Sequence, residues 1–172
     1  MKHETSGSIG PCSSQDRSQP TLPRTRIART LSIVQASYEH FDHTADMGIR
    51  VRAADLPQLL APAAKGLYAA IGVLEPGAAA DPVTLELTGA EPAVLLRDYL
   101  NELLILFERD GRIVTTIDEA DFTNDRLAVT ARTALIDEDR SAYHREVKAI
   151  TYHELAIREV AGGVEATLIV DI

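Results

Sequence analysis

Ile49 and Val51 alternate with Arg50 and Arg52, a two-residue period that predicts a short strand from Ile49 to Ala53 with one apolar face. Tyr38 to Phe41 reads as a second short strand, with the segment "DHTAD" turning the chain between them. The period then lengthens. In "DLPQLLAPAAKGLYAAIG", Leu56, Leu59, Leu60, Ala63, Ala64, Leu67 and Ile71 fall on one face of a helix. Asp55 is suited to its N-cap and Pro57 to its first turn. Pro62 conflicts with this pattern, because an interior proline costs about 3 kcal/mol and is expected to kink the helix or delay its start.

"EPGAAADP" reads as a loop and "VTLELTG", residues 83–89, as a strand. "EPAVLLRDYLNELLILFERDG" is the clearest helix. Leu96, Leu100, Leu103 and Phe107 form its inner stripe, Arg97, Asp98, Asn101 and Glu102 lie outside it, and Gly111 ends it. Strands are expected at Ile113 to Ile117 and Leu127 to Leu135, followed by an acidic loop, "IDEDRSAYHRE". The run "AITYHELAIREV", a turn at Gly162-Gly163 and "EATLIVDI" close the chain as a hairpin, with His153 on a strand. This order predicts an α+β fold: one domain, two main helices on one face of a largely antiparallel sheet, and a C-terminal β-hairpin.

Residues 1–36 break the pattern. They are rich in Ser, Pro, Thr and Arg, show little apolar periodicity and lack a secretory apolar segment. Such a composition buries too little surface to offset the entropy of ordering, so a disordered N-terminal extension is expected before a domain at 37–172. The extension carries five Lys or Arg against two acids, a balance of +3. In a chain of net charge −9 the remainder therefore holds −12. A domain so acidic repels phosphate backbones, which argues against direct nucleic-acid binding and for hard cations or basic protein surfaces as partners. No apolar run approaches the roughly 18 to 20 residues that span a membrane. The single cysteine, Cys12, excludes an intrachain disulfide and a cysteine-rich zinc site, and fits a reducing cytosol.

The chemistry within reach is narrow. There is no Gly-rich phosphate loop, no GxSxG and no HExxH, and beyond residue 36 the serines are Ser37 and Ser141 alone. Carboxylates and imidazoles remain. Asp42 and Asp46 flank a tight segment, where aspartate commonly binds turn N–H groups; equally, both are oxygen ligands for a hard cation, although one turn supplies too few. At the other end, "TLIVDI" stays apolar to its last residue and sets Asp171 beside the α-carboxylate of Ile172. A solvated strand end accounts for this. So does a packed one, whose two carboxylates repel unless a cation joins them. His40 and His43 are candidate transition-metal ligands, or one of them ties the turn to a neighbouring carbonyl or carboxylate. Lys148 has an acid partner that nothing local identifies.

Four stretches, "DHTADMGIRV", "LLRDYLNELLILFERDG", "VKAITYHEL" and the terminal "VDI", together resemble the archease family in order and spacing, over about residues 38–172. The resemblance implies a non-catalytic protein cofactor that promotes guanylylation and multiple turnover of an RtcB-type RNA ligase in tRNA splicing and RNA repair. It also implies a calcium-type metal site whose ligands fall on Asp46, Asp171 and Ile172. The extension has no counterpart in the family, and Pro62 departs from its first helix. Two other classes stand beside this one. One is a metal-dependent hydrolase using Asp46, Asp171 and a histidine. The other is a chaperone-like interaction module whose acids only shape turns.

Overall fold

Ser37–His43 (β1) and Asp46–Ala53 (β2) form an antiparallel hairpin in which His40 faces Ile49 and His43 faces Asp46. The computed structural model describes residues 34–44 and 46–172. Most of the expected extension, residues 1–33, lies outside the described residues. Val34, just inside them, donates its N–H to Gly162 O at 3.3 Å.

The second neighbour of β2 is the last strand, Gly163–Asp171 (β10), antiparallel with Ala166 opposite Val51 and Val170 opposite Met47. The first half of β10 closes the terminal hairpin with Ala156–Val160 (β9), and its end pairs with Ala149–Ile150 (β8). Gly162 turns that hairpin at φ 86, a conformation side chains disfavour. Alternation sorts the faces of this five-stranded sheet. Ile49, Val51, Ala53, Ala166, Leu168 and Val170 are sealed in the core, while Arg50 and Arg52 pair outside with Glu39 at 2.6 Å and Glu165 at 2.7 Å.

The first helix, Leu56–Ile71 (α1), begins where the sequence places it, with the Asp55 carboxylate accepting from Gln58 N at 3.0 Å. Pro62 neither delays nor ends it. Pro62 is itself buried, and that burial offsets the missing hydrogen bond. Gly66 lets α1 approach the hairpin, since a Cβ there would lie 2.8 Å from Ile49 Cγ2. After α1, Gly72–Val73 (β3) pairs with Ala142–Tyr143 (β7).

A three-stranded ladder follows, ordered Pro76–Thr88 (β4), Arg126–Ile136 (β6), Arg112–Phe122 (β5). Here the sequence reading needs correction. "EPGAAADP" is not a loop but the irregular first half of β4, with register shifts between Pro76 and Ala79 and between Ala80 and Val83. Tertiary pairing overrides its poor strand propensity: Asp81 O accepts from Thr133 Oγ1 at 2.7 Å and from the Arg112 guanidinium, which stitches the bulge to its neighbours.

The second helix, Pro92–Asp110 (α2), ends on Gly111 at φ 59. Leu96, Leu100 and Leu103 are sealed as expected, while Phe107 is half-buried; Leu95 and Tyr99 widen the stripe. Tyr68 of α1 accepts from Val114 N at 3.0 Å, and burial pushes its phenol up to about 12. The supposed outer residue Arg97 is only 18 % exposed. It donates to Ile150 O at 2.9 Å and lies 4.2 Å from the Tyr152 ring centroid, so the segment after β8 covers that face. The whole is α+β: two helices packed on antiparallel sheets, closed by a C-terminal hairpin. Among the described residues no helix is long and apolar enough to cross a membrane.

Candidate metal centre at one end of the sheet

Antiparallel register decides what meets at the end of the five-stranded sheet. Asp46 opens β2, and its successor Met47 is opposite Val170. Asp171 therefore stands at the level of Asp46 on the adjoining strand, with Ile172 beyond it. Two stretches from opposite ends of the folded chain are thus neighbours because one strand starts where the other stops. The strand is packed to its end: Leu168, Ile169 and Val170 are fully buried, and Ile172 is half-buried against the core. The packing holds through Val170, while the Asp171 side chain beyond it is 48 % exposed.

Lys148 finds its partner at this place. Its backbone N–H donates to Asp171 O at 2.9 Å, and its ammonium donates to Ile172 O at 3.1 Å and lies 4.0 Å from Asp171 Oδ1. Register brings Asp46, Asp171 and the terminal carboxylate to one end of the sheet, where they offer oxygen donors alone, and the Lys148 ammonium meets those of Asp171 and Ile172. This is the chemistry a hard cation uses, and the set fits one. Neither Asp46 nor Asp171 belongs to a group of three or more side-chain ligands among the described residues. Arg145 also reaches this end, with Nη1 3.7 Å from Met47 Sδ. Asp42, opposite Met47 on the outer strand, is exposed.

The histidines divide. His40 donates from Nε2 to Gly66 O at 2.8 Å, tying β1 to α1 as one imidazole was expected to tie the turn. His43 ends β1, its Nδ1 buried with no partner among the described residues, so its polar interactions run through Nε2. His153 is not on a strand; it lies in the turn between β8 and β9, where Glu154 adopts φ 49. The proline-free run "AITYHELAIREV" carries no marker of that break. Across the turn, His43 Nε2 is 3.7 Å and His153 Nε2 3.8 Å from Glu154 Oε1. Sequence reasoning missed Glu154 and Arg145, since neither sits in a recognisable spacing with the residues it joins.

The sequence profile of the archease protein family matches residues 38–172. The protein archease of Methanopyrus kandleri is 32% identical over 138 residues, spanning 78% of this chain and 99% of its own. That of Methanothermobacter thermautotrophicus is 31% identical over 141 residues, with 78% and 98% covered. Among solved structures, protein 1598 of Methanobacterium thermoautotrophicum superposes with a TM-score of 0.63 at 27% identity, covering 79% of this chain and 99% of that one. An archease of Thermotoga maritima, described as a possible chaperone, superposes at 0.53 with 22% identity and shares the fold.

Proposed function

Since the chain belongs to the archease family, we propose that it is a non-catalytic cytoplasmic activator of an RtcB-type RNA ligase, promoting guanylylation and repeated turnover in tRNA splicing and RNA repair. The observation that supports this reading is the register that sets the start of β2, at Asp46, beside the end of β10, at Asp171 and Ile172. Those residues would hold a calcium-type ion, supplying a fixed positive charge where carboxylates otherwise repel. Asp46 contributes from the start of β2 and Asp171 and Ile172 from the end of β10, so a bound ion would tie the two central strands together. The Lys148 ammonium already occupies the terminal oxygen and would compete with the ion for it.

The domain's excess of acids suits a basic surface on a protein partner and disfavours bare RNA. On this view RNA is handled by the ligase alone. Adding the purified chain to an RtcB-type ligase with RNA ends and GTP tests the proposal. Joined product exceeding one per ligase, with no RNA hydrolysis by the chain alone, supports an activator. Hydrolysis by the chain alone supports the metal-dependent hydrolase, and no effect at all leaves an interaction module.

Lys148 gives a further prediction. Its ammonium sits on the oxygen the ion would use, and a single and a double positive charge about 4 Å apart in a water-like medium repel by about 2 kcal/mol. Lys148→Met is therefore expected to raise calcium affinity about thirtyfold, read by calorimetric titration. A fall in affinity would mean the ammonium organises the oxygens rather than competing for them.

A further inference from the structure

His43, His153 and Glu154 form a group whose ligand atoms all lie within 4.8 Å of one another, on two elements brought together by the fold. We propose that these three side chains bind a divalent transition ion of the zinc class, at a site distinct from the all-oxygen set of Asp46, Asp171 and Ile172. The donor chemistry separates the two. Two imidazole nitrogens with one carboxylate suit zinc and its neighbours, whereas calcium prefers oxygen throughout.

The geometry is close to that of a bound ion. Zinc bonds of about 2.0–2.1 Å in a tetrahedron place ligand atoms roughly 3.4 Å apart. The separations of 3.7 Å and 3.8 Å to Glu154 Oε1 need only small side-chain rotations to reach that value. His43 is the anchor. It is only 19 % exposed, it is held by the β1–β2 ladder, and its buried Nδ1 leaves Nε2 as the ligating nitrogen. His153 and Glu154 are exposed and free to close on it. The turn that carries them is fixed by His153 N–H donating to Thr151 Oγ1 at 3.2 Å and Leu155 N–H to Tyr152 O at 3.4 Å. It holds Glu154 in the left-handed region, which a glutamate rarely enters and which is often found where a side chain has a task. Three protein ligands with an open fourth position leave room for water or for a donor from a docked partner. The His43 and His153 rings already meet edge to face with centroids 5.1 Å apart, so the ion would replace an aromatic contact rather than a solvent gap.

The site stands independently of ligase activation and is tested without it. The full chain is prepared with His3→Ala and Cys12→Ser, which removes the competing imidazole and thiol of the N-terminal segment. Saturating calcium occupies the oxygen set, and zinc is titrated by calorimetry while the imidazole resonances are followed by NMR. One equivalent of zinc is expected, shifting the His43 and His153 resonances and sparing those of His40 and His144. His153→Ala and Glu154→Gln, both at exposed positions, are each expected to weaken zinc binding at least about a hundredfold, with calcium affinity and circular dichroism unchanged. Absence of zinc binding at micromolar concentrations overturns the proposal, as does zinc affinity unchanged in both variants.

Discussion

Asp46→Ala is expected to abolish calcium binding, and ligase stimulation with it, in a domain that stays folded. In the proposed site Asp46 would be the one ligand supplied by the β1–β2 turn, and losing one of three anionic donors costs a hard cation on the order of a hundredfold or more in affinity. The fold should not follow. Asp46 is half-buried at the start of β2, and among the described residues its carboxylate makes no ion pair that holds the hairpin. The hairpin's stability rests on Ile49 and Val51 in the core and on the pairing of β2 with β10. Calorimetric titration with calcium beside a circular dichroism spectrum reads both halves of the prediction. A folded variant with native calcium affinity would remove Asp46 from the site.

Extending the C-terminus is expected to be nearly as damaging, although every native side chain is kept. A residue appended after Ile172 turns its α-carboxylate into a neutral amide, so the donor set loses a full negative charge. The loss is compounded by packing. Ile172 is half-buried against the core and its oxygen holds the Lys148 ammonium at 3.1 Å, so the added chain must leave through the place where the proposed ligands would converge. A C-terminal affinity tag should weaken calcium binding by about tenfold or more and depress ligase turnover, while the same tag placed before Met1 should do neither. A terminus that merely ran into solvent would tolerate both tags alike. Equal behaviour of the two forms would take the α-carboxylate of Ile172 out of the site.

The two stretches of the candidate site were legible in the sequence as separate anomalies, and register sets them beside each other. A turn with Asp46 at its close and a strand ending in Asp171 each look incomplete alone. Antiparallel pairing of β2 with β10 then leaves no choice but to set them side by side. The helices were legible for the same kind of reason: apolar spacing, a carboxylate N-cap at Asp55 and a glycine stop at Gly111 are local signals. What escaped depends on distant partners. The first half of β4 has a composition of loop residues, and only Thr133 and Arg112, reaching across to Asp81 O, make it a strand. Arg97 reads as a surface residue until Tyr152, from a turn with no turn-forming sequence, stacks over it. Lys148 could not be assigned an acid because its partners are the last two residues of the chain. Pro62 was read as a local cost, and burial of its ring, a tertiary effect, offsets it.

The central claim, that this chain activates a ligase rather than performing chemistry itself, comes down to one covalent event on the partner. Purified RtcB-type ligase is incubated with labelled GTP and manganese, with and without the full chain, and transfer of the labelled guanylyl group to the ligase histidine is followed in time. The account predicts faster and more complete labelling of the ligase when the chain is present, no label on the chain itself, and loss of the effect with Asp46→Ala. Labelling of a competent ligase at the same rate and extent with and without the chain would contradict it.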